Sequence, residues 1–203
     1  MKMEEKILEL FQRPKLVGVI GEVNSGKSNF LKYLFVKLKQ KGATIVTFGF
    51  KGGLADIEIK SVHELEEIKN SIIFLDEFQT LIDLDQRRNK KSVEKTLRLI
   101  HHNNNIIVLC GLADNYKKFI SERINVYFYK KTNLKSMING SRAKRVLEDY
   151  HGDEMGSVML NLDPKEVLLY DGKHYSLLKV PYLSNLDTKR ENKSLIRLKG
   201  GDK

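Results

Sequence analysis

The sequence predicts an α/β fold: a mostly parallel central sheet, helices on both faces, and a β-hairpin near the C-terminal end. Three observations carry this. Short apolar runs recur at 16–20, 72–75, 106–110 and 126–129, with a short β-branched run at 44–48, and such runs read as buried strands. Segments of helical periodicity stand between them, the clearest placing Phe30, Leu31, Leu34, Phe35 and Leu38 on one face, with Gly42 as its stop. Late in the chain, two apolar runs at 167–170 and 175–180 flank Asp171-Gly172, a hairpin signal.

Taken in order, residues 3–12 form a short helix with Ile7, Leu8, Leu10 and Phe11 clustered, ended by Pro14. The first strand, Leu16-Val17-Gly18-Val19-Ile20, then runs straight into Gly21-Glu22-Val23-Asn24-Ser25-Gly26-Lys27-Ser28, a GxxxxGKS string, and the Phe30–Leu38 helix follows. Strand, glycine-rich loop and helix together make a phosphate cradle. Glycines let the backbone wrap a polyphosphate with successive N–H groups pointing inward, and the helix adds its positive dipole end. Residues Gly21, Glu22, Val23, Asn24, Ser25, Gly26, Lys27, Ser28 and Asn29 are therefore the candidate nucleotide site. Lys27 would reach the β- and γ-phosphates as a catalytic cation, and the Ser28 hydroxyl would sit on Mg²⁺. ATP and Mg²⁺ are the expected cofactors.

A second strand is read at 44–48, and the loop from Gly49 to Gly53 leaves its carboxyl end, the edge at which open α/β sheets bind ligands. Ser61-Val62-His63-Glu64 is a capping box that should start a helix reaching about Lys69, with His63 on its surface. The strand Ile72-Ile73-Phe74-Leu75 then delivers Asp76 and Glu77 at its carboxyl end. Two acids closing a strand are common on protein surfaces. Beside an intact phosphate loop they read as a Walker B pair: Asp76 as the Mg²⁺ ligand and Glu77 as the catalytic base that polarises a water or a substrate hydroxyl.

Arg87, Arg88, Lys90 and Lys91 follow as a basic run, read as a loop ahead of a helix capped by Ser92 with the stripe Val93, Leu97 and Ile100. Such a run is otherwise a solvated loop; beyond the acidic strand it also suits a salt-sensitive grip on a phosphate backbone, which makes these four the candidate DNA contacts. Asn103-Asn104-Asn105 is a turn, Cys110 a small buried filler, and 114–122 a helix. From 114 to 149 positive residues, Lys130 and Lys131 among them, outnumber acids, giving a second candidate anion-binding surface. Arg98, Arg123, Arg142 and Arg145 are the candidate arginine fingers, able to reach a neighbouring subunit's nucleotide. Residues 160–164 form a turn before the hairpin.

Composition narrows the function classes. A 41% hydrophobic and 31% charged chain of 203 residues is ordinary for a globular protein and large enough for one sizeable core. Its formal net charge of +10 favours an anionic partner, nucleic acid first. One cysteine excludes an internal disulfide and a cysteine zinc cluster within one chain, so no zinc is expected. No apolar run approaches the roughly 18 residues of a membrane span, and the N-terminus has no signal-peptide segment, so no membrane insertion and a cytoplasmic location (host cytoplasm if viral) are expected. Residues 1–182 are read as one ATPase domain and 183–203 as a basic, flexible tail.

One strand separates the two motifs in sequence, an arrangement that resembles the additional-strand, catalytic-glutamate class of P-loop NTPases. In that class the 106–110 strand lies between the strands bearing Ser28's loop and Asp76. Over about residues 15–182 the order of parts resembles the FtsK–HerA superfamily of ring-forming DNA pumps, especially small viral genome-packaging ATPases; the closing Leu162-Asp163-Pro164-Lys165-Glu166-Val167-Leu168-Leu169-Tyr170 resembles theirs too. The resemblance implies ATP-driven translocation of double-stranded DNA by a homo-oligomeric ring. That superfamily commonly carries a glutamine sensor where this chain has Gly111, unless Asp114 or Asn115 serves. Asn24–Ser28, Asp76-Glu77-Phe78-Gln79 and Cys110–Tyr116 also resemble type II thymidine kinases, which implies instead transfer of a phosphoryl group to a nucleoside hydroxyl deprotonated by Glu77. Those kinases carry a cysteine-bound zinc, and this chain has no cysteine at that place.

Overall fold

The structure is a computed structural model that describes residues 3–50, 54–76, 87–111, 120, 122–132, 158–181 and 183. Its frame is an eight-stranded sheet in the order β3-β2-β4-β5-β1-β6-β7-β8. These strands are β1 (Lys15–Ile20), β2 (Ile45–Phe48), β3 (Ile57–Glu58), β4 (Ile72–Leu75), β5 (Ile106–Gly111), β6 (Val126–Tyr129), β7 (Glu166–Tyr170) and β8 (Tyr175–Lys179). The six strands from β3 to β6 pair in parallel, and β7 and β8 add to them antiparallel. The expected α/β sheet with a closing hairpin is therefore present, and β5 lies between β1 and β4 as the additional-strand resemblance implied.

Side chains alternate along β1 between two cores. Leu16 and Ile20 face one layer with Leu97, Ile100, Ile120 and Met159, while Val17 and Val19 face the other with Phe30, Leu34 and Phe35. Helices α1 (Met3–Glu9) and α2 (Lys27–Gln40) cover the second layer; α3 (Arg87–Leu99) and a short 3₁₀ helix (Val62–Glu66) cover the first. With apolar cover on both sides, central strands need no polar face, which is why the apolar runs are continuous. Phe35 anchors α2 on the sheet, stacked on Phe74 at 4.4 Å and tilted against Phe50 at 4.8 Å between ring centroids. Gly42 ends α2 at φ 79°: its N–H donates to the Lys39 carbonyl and that of Ala43 to the Leu38 carbonyl, so the last turn's acceptors are satisfied.

Four local readings change. Residues Ile57–Glu58 form an edge strand that no periodicity announced, since it is two residues long and exposed on both. The capping box is present, with Glu64 Oε1 accepting from the Ser61 N–H at 2.7 Å, but it opens one 3₁₀ turn and not a helix to Lys69. Asn105 explains the early stop: its buried amide donates to the Ile68 carbonyl at 2.7 Å and accepts from the Ser71 N–H at 3.1 Å, drawing 68–71 into the approach to β4. Residues 87–91 belong to α3 and are not a loop, and Ser92 is inside that helix and not its cap; arginine and lysine are good helix formers and nothing there breaks the turn. Last, residues 158–161 are helical ahead of the turn into β7. The expected loop at 51–53, the helix over 114–119 and the tail from 184 onward lie outside the described residues.

Removing the Phe35 ring tests this frame. Phe35→Ala should cost about 3–5 kcal/mol in urea unfolding, because the cavity opens against two other rings; a loss under about 1 kcal/mol would mean that α2 is not anchored there.

Candidate nucleotide site

The carboxyl edge of β1 gives way to the glycine-rich loop, and the backbone there has the bends a cradle requires. Asn24 has φ 61° and Gly26 φ 86°, both left-handed, and α2 begins at Lys27. Asparagine tolerates that region better than most side chains, and glycine enters it freely. Main-chain bonds fix the loop: Gly21 N–H donates to the carbonyl of Gly111 at the end of β5, Glu22 N–H to that of Lys131 just past β6, and Ser25 N–H to the loop's own Glu22 carbonyl. Val23 and Asn24 form the exposed tip.

Two glycines stand where no side chain fits. A Cβ on Gly21 would lie 2.5 Å from Lys130 Cβ and 2.8 Å from Ser25 Oγ. A Cβ on Gly26 would lie 2.5 Å from the Pro164 carbonyl oxygen. The first and last glycines of the motif are therefore required by packing as well as by backbone freedom.

Lys27 is half-buried, and its ammonium donates to the carbonyls of Gly21, at 2.7 Å, and Glu22. It thus lies folded over the loop's own acceptors, within the cradle it is meant to serve. Ser25 is buried and its hydroxyl has no hydrogen-bond partner among the described residues, an uncompensated polar atom inside the loop. Ser28 is exposed in the first turn of α2. Asn29, grouped with the loop on sequence, turns elsewhere: its amide donates to the Pro181 carbonyl at 3.2 Å and its oxygen accepts from the Leu183 N–H at 2.8 Å. Its side chain ties down the chain that follows β8.

Asp76 leaves the sheet on the same edge. Leu75 is level with Leu109, and Leu109 with Gly18, so Asp76 emerges two strands from β1, about 10 Å across the sheet. Its N–H donates to the Phe48 carbonyl at 3.1 Å. The loop and the acid therefore share one rim. A triphosphate–Mg²⁺ pair suits this donor set: an unsatisfied hydroxyl within the loop, an exposed hydroxyl at a helix start and one carboxylate nearby, since magnesium takes few protein ligands and completes its shell with phosphate and water. Glu77, the expected base, lies outside the described residues, as do Asp114, Asn115, Arg142 and Arg145.

At the sensor position, Gly111 continues β5 and offers its carbonyl to Gly21, so a main-chain contact stands where a side chain was sought. Arg98 and Arg123 are exposed, but both precede strands at their amino ends, on the rim opposite the loop. Strands of four to six residues separate the two rims by about 13–20 Å, so neither arginine serves its own chain's loop. The backbone of residues 87–90 is helical, their side chains lie outside the described residues, and Lys91 is exposed.

Lys130 departs most from the sequence reading. It is 1% exposed, so it forms no part of a surface for anions, and its ammonium donates to the carbonyls of Pro164, at 2.6 Å, and Glu166. Burial pushes its pKa down and the nearby Asp163 and Glu166 carboxylates pull it only part of the way back, leaving it at about 8. Lys131 beside it is exposed.

No protein-family model matches the chain, and no curated protein does. Solved structures do. The genome packaging NTPase B204 of Sulfolobus turreted icosahedral virus 2, in complex with sulfate, superposes with a TM-score of 0.61 at 13% identity, over 85% of this chain and 99% of its own. The pCW3 conjugation coupling protein TcpA, with ATPγS, gives 0.61 at 16% identity, over 92% of this chain and 65% of its own. EssC from Geobacillus thermodenitrificans gives 0.60 at 11%, over 94% and 44%. The chain thus has the fold of these ATPases.

Gly26→Ala probes the cradle. The added methyl meets both a left-handed φ and the Pro164 carbonyl, so stability should fall by about 1–3 kcal/mol and affinity for an ATP analogue by at least about tenfold; unchanged binding in a titration would show that Gly26 does not shape the site.

Proposed function

We propose that the chain is an ATP-hydrolysing motor of the FtsK–HerA type that acts on double-stranded DNA as a homo-oligomer. One observation carries the reading: the glycine-rich loop and Asp76 leave the same rim, with β5 inserted between their strands. The likeness to B204 structures, obtained in complex with ATPγS and with AMPPCP, supports ATP as the ligand. DNA rests on the DNA-packaging ATPase B204, which shares the fold, and on the +10 charge of this chain; assembly into a ring rests on the resemblance to ring-forming pumps read in the sequence.

In this mechanism the inward N–H groups of the loop wrap the phosphates, and the start of α2 adds its dipole. The Lys27 ammonium exchanges its two carbonyl partners for β- and γ-phosphate oxygens, so the loop loses an internal tie only when the ligand supplies a better one. Ser28 and Asp76 would hold Mg²⁺, which supplies charge neutralisation at the reacting phosphates. Glu77 takes the water's proton, and an arginine from the next subunit steadies the transferring group. Arg98 and Arg123, standing on the far rim, can serve only a neighbour. The basic residues 87–91, at the start of α3, follow the acidic strand, and the first turn contains no Asp or Glu; positive charges there favour an anion. The nucleoside-kinase reading draws no support from the solved structures that share the fold.

Glu77→Gln should bind ATPγS as the wild type does while hydrolysis falls about 10²–10⁴-fold; normal turnover would overturn the base assignment. Duplex DNA should stimulate hydrolysis, and replacing Arg87, Arg88, Lys90 and Lys91 together by Ala should lower the slope of log affinity against log salt by up to about 3–4. A chain that ignores duplex DNA even at low salt is not this motor; transfer of label from ATP to thymidine would make it a kinase.

A further inference from the structure

Lys130 is a cation buried where no catalytic step uses it. It follows β6 directly, and its N–H donates to the carbonyl of Ile20, the last residue of β1, at 2.7 Å. The next carbonyl, that of Lys131, accepts from Glu22 at 3.0 Å. Residues 130 and 131 therefore extend the β6 pairing past the sheet along the first two residues of the loop. Lys130 Cβ fills the space beside Gly21.

The side chain then reaches Pro164 and Glu166, in the turn that opens the C-terminal hairpin. That turn is itself braced. Asp163 accepts from the Lys165 N–H at 2.8 Å, Glu166 N–H donates to the Asp163 carbonyl at 2.8 Å, and Val180 N–H donates to the Lys165 carbonyl at 2.7 Å. The carbonyl that Lys130 grips on Pro164 is the same one against which Gly26 packs. One side chain thus runs from the first glycine of the loop to the group that bears on the last.

We propose that Lys130 is a positioning residue for the nucleotide loop, clamping the 163–166 turn onto Gly26 so that the loop holds its phosphate-wrapping form and the hairpin feels whether it is filled. Burying an ammonium in this place is costly unless its donors are satisfied, and two main-chain carbonyls take two of its three. A methionine would keep the bulk and lose both bonds, leaving those carbonyls without the cation. Coupling is reciprocal: what the turn does to loop affinity, nucleotide must do to the turn. This inference rests on the reading of residues 21–28 as the nucleotide site.

The test compares ATPγS binding by the full-length wild type, Lys130→Met and Phe11→Leu, the last a core change in the turn after α1 chosen as a control for lost stability. Well below all three unfolding temperatures, Lys130→Met should bind at least about tenfold more weakly than the wild type, and Phe11→Leu should bind like it. Equal binding by Lys130→Met overturns the positioning role alone. No binding by the wild type overturns the site reading and this inference with it. Should Lys130→Met fail to fold, hydrogen exchange of the wild type decides: ATPγS should slow exchange at the Glu166 and Val180 amides by about tenfold or more, and unchanged exchange there overturns the coupling.

Discussion

The contact on which most of this structure turns is the approach of the Pro164 carbonyl to Gly26. At 2.5 Å from where a side chain would begin, it leaves room for hydrogen alone. Gly26 is left-handed there, and α2 starts directly after it at Lys27. The helix places Phe30, Leu34 and Phe35 in the core, and so the bend that shapes a binding site is also the bend that seats the longest described helix. Binding geometry and folding stability are consequently inseparable at this point in the chain.

Two lysines stand at the glycine-rich loop and are held in different ways. Lys27 lies over the carbonyls of Gly21 and Glu22 and can leave them for a stronger partner. Lys130 is held beneath the loop by carbonyls of the hairpin turn and stays. On the proposed function one cation serves the ligand and the other the frame, and burial separates them: Lys27 is half-buried and Lys130 is 1% exposed.

Much of this was legible in the sequence, and the reasons differ by element. GxxxxGKS after an apolar strand is legible because few backbones tolerate its glycines and few sites need its lysine. The five parallel strands built from apolar runs are legible because cover on both faces erases polar alternation. The placement of β5 came from resemblance, since strand order is set by crossovers that local pattern does not record. What was missed has physical causes too. Ile57–Glu58 is too short to show a period; the turn after Ser61 is cut short by Asn105, more than forty residues on in sequence; and Lys130 reads as surface because lysine nearly always is. The hint available was its position directly after the apolar run Val126–Tyr129, which forms an interior strand of the sheet.

The most direct measurement is a crystal structure of the chain with Mg²⁺ and AMPPCP. The account predicts the phosphates enclosed by the N–H groups of residues 22–28, Lys27 withdrawn from the Gly21 and Glu22 carbonyls onto the phosphate oxygens, and the metal between Ser28 and Asp76. A nucleotide bound away from this rim, or Lys27 still folded onto its own loop with the ligand in place, would contradict it.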